Sequence, residues 1–80
     1  MAKKISLMGL TCYLYKSKAD RWSITADLSN KEVFNKYLYQ LLDEDIVSVS
    51  QTDRRIHVET RFTNVLHLTN KLHQRHPIEQ

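Results

Sequence analysis

The chain has 80 residues, of which 41% are hydrophobic and 26% charged, and its formal net charge is +3. These proportions are typical of a folded domain, and the length predicts a single domain over residues 1–80. One Gly, one Pro and one Cys exclude Gly-rich phosphate loops, disulfide frameworks and cysteine-based zinc sites. Function must therefore be inferred from architecture and from surfaces.

Charge is unevenly distributed along the chain. Residues 1–19 carry +4, residues 20–60 carry −3 and residues 61–80 carry +2. This modest excess of positive charge permits attraction to nucleic acid, but it is far below the charge density of a protein that coats DNA.

Residues 5–15 form an apolar run that predicts one β-strand. Both alternating sets of side chains are largely apolar: Leu7, Thr11, Tyr13 and Tyr15 on one side, and Met8, Leu10, Cys12 and Leu14 on the other. The run is too short to span a bilayer and lacks the small residues of a signal-peptide cleavage site, so a cytoplasmic location is predicted. Residues 16–20 read as a polar turn.

A second strand and a helix are predicted next. Residues 21–28 alternate, with Trp22, Ile24, Ala26 and Leu28 on one side. Ser29 and Glu32 match a capping box at the start of a helix. Its apolar stripe comprises Val33, Phe34, Tyr37, Leu38, Leu41 and Leu42. The acidic residues 43–45 end this helix because they oppose its dipole.

The same order of elements then repeats. Residues 46–50 and 55–62 predict a second hairpin, with Ile56, Val58, Thr60 and Phe62 pointing inward. Thr63 or Asn64 caps a last helix that ends near His76, before Pro77. The prediction is an α+β two-layer sandwich of order ββαββα, in which a four-stranded antiparallel sheet carries both helices on one face. Its pseudo-repeated halves are residues 5–43 and 46–76.

Catalysis and metal binding find little support in the sequence. No catalytic motif is present, and Cys12 lies in an apolar run where a thiol stays protonated. His57 is predicted on a strand, and only His73 and His76 of the last helix share a side. Two ligands fall short of a usual zinc site, so we expect no enzyme activity, no metal and no cofactor.

Nucleic-acid binding is the second function class that the sequence permits. A sheet face left free by the helices would present basic side chains with a nearby Tyr, an arrangement that holds single strands. The candidate residues are Lys16, Lys18, Arg21, Arg54, Arg55, His57 and Arg61. Asp27 and Glu59 lie in the same field and reduce its positive potential.

Protein docking is the favoured hypothesis. A first strand that is apolar on both sides needs a cover that a two-layer sandwich does not supply, which favours a homodimer or another protein partner. We therefore expect a non-enzymatic regulatory or accessory protein, of which an inhibitor is one kind. Apolar anchors would be Tyr13, Tyr15 and Tyr39, with Arg54, Arg55 and Arg61 as their charged complements.

Overall fold

A computed structural model describes residues 2–7, 9–19 and 21–73. Over these residues the chain forms five strands and two α-helices, joined in part by 3₁₀ turns at Leu28–Asn30 and Asp43–Asp45. The elements are β1 (Lys3–Leu7), β2 (Leu10–Lys18), β3 (Arg21–Asp27), α1 (Lys31–Leu41), β4 (Ile46–Gln51), β5 (Arg55–Thr60) and α2 (Val65–Leu72). All strand pairs are antiparallel, and the strand order is β1-β2-β3-β5-β4.

The first apolar run is a hairpin, so the prediction of one strand over residues 5–15 is wrong. β1 and β2 pair from Lys3 opposite Leu14 to Leu7 opposite Leu10. Gly9 has φ +80°, a left-handed conformation that glycine adopts without the penalty of a Cβ atom, and it lies where the chain reverses. The order is therefore βββαββα with five strands. The predicted turn over residues 16–20 is also shorter, because β2 continues through Lys18.

Because of this reversal, the apolar residues of the run lie mainly on the side of the sheet that faces the helices. Leu7 lies on the same side of the sheet as Leu10 and Cys12, and its side chain is buried in the core. The opposite side of this hairpin carries Thr11, Tyr13 and Tyr15, which all have hydroxyl groups. The expectation of a first strand that is apolar on both sides is therefore wrong.

The start of α1 also differs from the prediction. The Asp27 carboxylate accepts hydrogen bonds from the Ser29 backbone N–H at 2.9 Å and from Ser29 Oγ at 2.8 Å, which stabilises the 3₁₀ turn before the helix. The predicted capping box of Ser29 and Glu32 does not form, since the residue at the N-cap of α1 is Asn30 and its side chain makes no capping bond. The Ser29 hydroxyl and backbone N–H bind Asp27 instead of forming the capping box.

The other helix boundaries follow the sequence more closely. α1 ends at Leu41, just before the acidic residues, and Asp43 takes a positive φ of 41° as the chain leaves the helix. Asn64 caps α2, because its side chain accepts the N–H of Leu66 at 2.7 Å. The predicted end of this helix near His76 and the frayed residues 78–80 lie outside the described residues.

One hydrophobic core lies between the sheet and the two helices, as the two-layer prediction requires. Inward side chains of the strands meet Phe34, Leu38, Leu41 and Leu42 from α1 and its end, and Leu68 and Leu72 from α2. The strand contribution comprises Leu7, Cys12, Leu14, Ile24, Ala26, Ile56 and Val58. The α+β class is confirmed. Val33, predicted to be in the core, is instead about half exposed.

Candidate functional site

The sheet face opposite the helices is uncovered by any element of the described chain, and we call it the open face. Because side chains alternate along a strand, the register defines its members. One row across the sheet runs Lys4, Tyr13, Thr25, His57 and Ser50. The next row runs Tyr15, Ser23, Glu59 and Ser48. The open face is therefore rich in hydroxyl groups and has aromatic side chains near its middle.

Tyr15 and His57 form the central contact of the open face. Tyr15 Oη lies 3.0 Å from His57 Nδ1, and the two rings meet edge to face with their centroids 6.1 Å apart. Burial raises the pKa of the Tyr15 phenol, a hydrogen bond with Ser23 partly offsets this, and the negative charge of Glu59 adds to the rise. Tyr15 is therefore a protonated hydroxyl at neutral pH. It donates to His57 Nδ1 in the tautomer that leaves this nitrogen unprotonated, and it accepts from Nδ1–H in the other tautomer.

A small polar cavity of about 150 Å³ lies beside this pair. The Glu59 carboxylate lines this cavity. Ser48 Oγ donates a hydrogen bond to Glu59 Oε1 at 3.1 Å, and Lys18 Nζ lies 3.6 Å from Glu59 Oε2. Oε2 is buried and receives no hydrogen bond from the described residues, while the side chain as a whole is 17% exposed. The cavity is lined by Tyr15, Ser17, Lys18, Ser23, Ser48, Ser50, His57 and Glu59. It suits a group that donates hydrogen bonds.

A cation–π pair lies at the other end of the open face. The guanidinium carbon of Arg55 is 5.4 Å from the centre of the Tyr13 ring, a cation–π distance. Asp27 pairs opposite Arg55 in the register. Hydrogen bonds from Ser29 hold the pKa of the Asp27 carboxyl below its usual range, and the positive charge of Arg55 lowers it further.

The structure brings some of the predicted docking residues together and separates others. Tyr13, Tyr15 and Arg55 share the open face. Tyr39 is 51% exposed but lies on α1, in the other layer. Arg54 lies in the turn between β4 and β5, and Arg61 follows the opposite end of β5.

The basic residues predicted for nucleic-acid binding are similarly dispersed. Lys16 pairs opposite Trp22, on the side of the sheet that the helices cover. Lys18 and Arg21 pair with each other at one end of the sheet, where Arg61 also lies. Arg54 and Arg55 lie at the other end of the sheet, so the set forms no continuous basic stripe.

Several residues of the polar cavity were absent from the predicted site. The sequence places Glu59 and Ser23 at outward-facing positions of strands with alternating polarity. This pattern alone is a weak indication that they belong to a site. Ser48 joins them only because β4 pairs with β5 in the observed register. Residues on three strands meet here, and alternation within one strand does not reveal which strands are neighbours.

The remaining reactive groups are the thiol of Cys12 and the histidines. Cys12 is fully buried, and burial raises the pKa of its thiol to about 11, so the thiol is protonated at neutral pH. Within residues 2–7, 9–19 and 21–73, no three His, Cys, Asp or Glu side chains are grouped to hold a metal ion. His76, part of the predicted histidine pair, lies outside the described residues.

The fold and the open face define a small α+β domain with one sheet face that no described element covers. Comparison of the chain with protein-family models, with curated proteins and with solved structures finds no match. In the part of the chain that the structure describes, neither helix is long and apolar enough to cross a membrane.

Proposed function

We propose that the protein is a non-enzymatic regulatory or accessory protein of the cytoplasm that docks a protein partner through its open face. The observation that carries this proposal is the presence of two tyrosine pairs, Tyr13 in a cation–π contact with Arg55 and Tyr15 in contact with His57, on a sheet face that no described element covers. Tyr and Arg, together with Trp, are the residues most enriched among the energetic anchors of protein interfaces. An inhibitor is one kind of protein that would act in this way.

The charges of the open face favour a protein partner over nucleic acid. Lys18 is paired with Glu59, and Arg55 lies opposite Asp27, so these cations are matched by carboxylates. A phosphate backbone needs unmatched positive charge, whereas a protein surface accepts both signs. Nucleic-acid binding through the Tyr-containing face thus remains the second proposal, with weaker electrostatic support.

The polar cavity suggests how a partner would be oriented. Glu59 Oε2 accepts no hydrogen bond from the described chain, and its Lys18 neighbour is largely exposed to solvent. A partner's Lys or Arg side chain entering the cavity would supply the donor that Oε2 lacks. In this proposal the tyrosines contribute apolar contact area, and Glu59 selects a basic side chain.

Site-specific photo-crosslinking tests the proposal. A photoreactive phenylalanine analogue is placed at position 13 or, as a matched control, at position 39, since both positions hold tyrosines but in different layers. We expect a covalent adduct with one protein species in the native host from position 13 and none from position 39. Equal adducts from both positions, or no protein adduct from position 13, would refute docking through the open face. An adduct destroyed by nuclease would support nucleic-acid binding instead.

A further inference from the structure

The two edges of the sheet differ in how well they are protected against pairing with another strand. β1 carries Lys3 and Lys4, and charged side chains, lysine above all, protect an edge strand. β4 has no charged residue over Ile46–Gln51, and all its residues after Ile46 are exposed. Val47 is 43% and Val49 39% exposed. The β4 edge is therefore uncharged, exposed and open to pairing.

The backbone of β4 has hydrogen-bonding groups directed away from the sheet. The Thr52 N–H donates to the Arg55 carbonyl at 2.9 Å, which fixes the alternation of bonded and non-bonded pairs along the β4–β5 hairpin. By this alternation the N–H and C=O groups of Val49 and Gln51 point to the free edge. The bulge in β4 lies between Ile46 and Ser48, so Ser48–Gln51 keeps a regular edge.

We infer that β4 pairs antiparallel with β4 of a second copy of this chain. The charges at its two ends favour that occupant. Acidic residues 43–45 precede β4, and Asp53, Arg54 and Arg55 follow it with a net charge of +1. Antiparallel pairing brings the acidic end of each copy beside the basic end of the other, twice across one two-fold axis. Parallel pairing would instead place like charges together.

The expected dimer is weak and independent of the open face. Pairing two six-residue edges buries less surface than the roughly 1,600 Å² of a standard stable interface, so we expect a dissociation constant on the order of micromolar. The interface lies along the edge of the sheet, and the open face of each copy stays accessible in a sheet of ten strands. Failure of this inference leaves the docking proposal unaffected.

Light scattering of the purified full chain across a concentration series tests the inference. We expect the wild-type mass to rise from monomer to dimer and to stop there. Val49→Lys should raise the dissociation constant by at least about tenfold, because it places a charge at the centre of the pairing. Ser6→Lys on the β1 edge is the matched control and should leave dimerisation unchanged.

A second variant keeps the test valid if Val49→Lys disturbs folding. Arg54→Glu lies in an exposed turn and reverses the charge beside the acidic end of the other copy, so it should also weaken the dimer. Three outcomes would overturn the inference: a wild-type monomer throughout the series, equal effects of Val49→Lys and Ser6→Lys, or growth beyond a dimer. Growth would indicate pairing of β4 with β1 of the next copy.

Discussion

Tyr15 Oη and His57 Nδ1 lie 3.0 Å apart across the central strand β3, although 42 residues separate them in the chain. This contact joins β2 to β5 on the open face and forms one wall of the polar cavity. It keeps the Tyr15 ring partly buried among polar neighbours. The site is therefore a product of sheet topology, since neither residue is near the other in sequence.

Gly9 should be the most sensitive position of the β1–β2 turn. Nothing lies within 4 Å of an added Cβ atom, so the cost of Gly9→Ala comes from its φ of +80° alone. We expect a loss of roughly 1–2 kcal/mol in the free energy of unfolding. Gly9→Asn should lose less, because Asn tolerates this conformation better. Urea denaturation of the two variants measures both values, and an unchanged Gly9→Ala midpoint would argue against the hairpin.

Two leucines of α2 give a matched test of the core. Leu68 is 0% exposed and Leu66 is 61% exposed on the same helix. Leu68→Ala should cost about 2–5 kcal/mol, because it removes buried contacts and leaves a cavity. Leu66→Ala should change the free energy of unfolding by no more than about 0.5 kcal/mol. Similar thermal shifts for the two variants would contradict the packing of α2 described above.

The buried thiol predicts a loss of stability at alkaline pH. Burial raises the pKa of Cys12 from 9.0 to about 11 in the folded chain. The protonated thiol therefore contributes to the free energy of unfolding. This contribution is fully present below the unfolded-state pKa and is lost as the pH rises from about 9 through about 11. The shift corresponds to roughly 2–3 kcal/mol.

Urea denaturation of wild type and Cys12→Ala between about pH 8 and pH 11 measures this contribution. The wild type should lose more stability over that interval than the variant, because the variant has no thiol to ionise. Tyrosine titration affects both proteins and cancels in the difference. Parallel pH profiles would show that the thiol is not held protonated by burial.

Oligonucleotide binding separates the two proposed functions. Because the cations of the open face are matched by Glu59 and Asp27, we expect no saturable binding of labelled single- or double-stranded oligonucleotides at low salt. Fluorescence anisotropy at about 50 mM and about 200 mM salt measures it. Tight binding that weakens steeply between these salt concentrations would favour the nucleic-acid proposal.

The sequence predicted the elements whose signals are local. β3 and β5 alternate cleanly, and α1 and α2 each bury a stripe of side chains, so the α+β class followed from periodicity. The β1–β2 hairpin was missed because both alternating sets in residues 5–15 are largely apolar, which hides the point of reversal. Gly9 was the local signal for that turn. Asp27 was missed as a cap because it also fits the end of a strand.

The site was less accessible from sequence than the fold. Tyr13, Tyr15 and Arg55 were predicted as docking residues, and the structure places them on one face. Their grouping with Glu59 depends on β3 pairing with β5, which requires the chain to pass over the sheet through α1. Alternation along a strand gives the side on which a residue lies. It does not give the neighbouring strand, so Arg61 could not be separated from the site, whereas the predicted helix already placed Tyr39 in the other layer.

Docking through the open face is tested most directly by comparing the proteins that copurify from the native host with wild type, Tyr13→Asp and Tyr39→Asp. Circular dichroism first establishes that all three are folded; Tyr13→Asp leaves the Tyr15–His57 contact intact and places its carboxylate near Arg55. Quantitative mass spectrometry should find one partner at near-equal stoichiometry with wild type and with Tyr39→Asp. The same partner should be absent from the Tyr13→Asp sample. Retention of the partner by Tyr13→Asp, its loss from both variants, or absence of any stoichiometric protein would contradict docking through the open face.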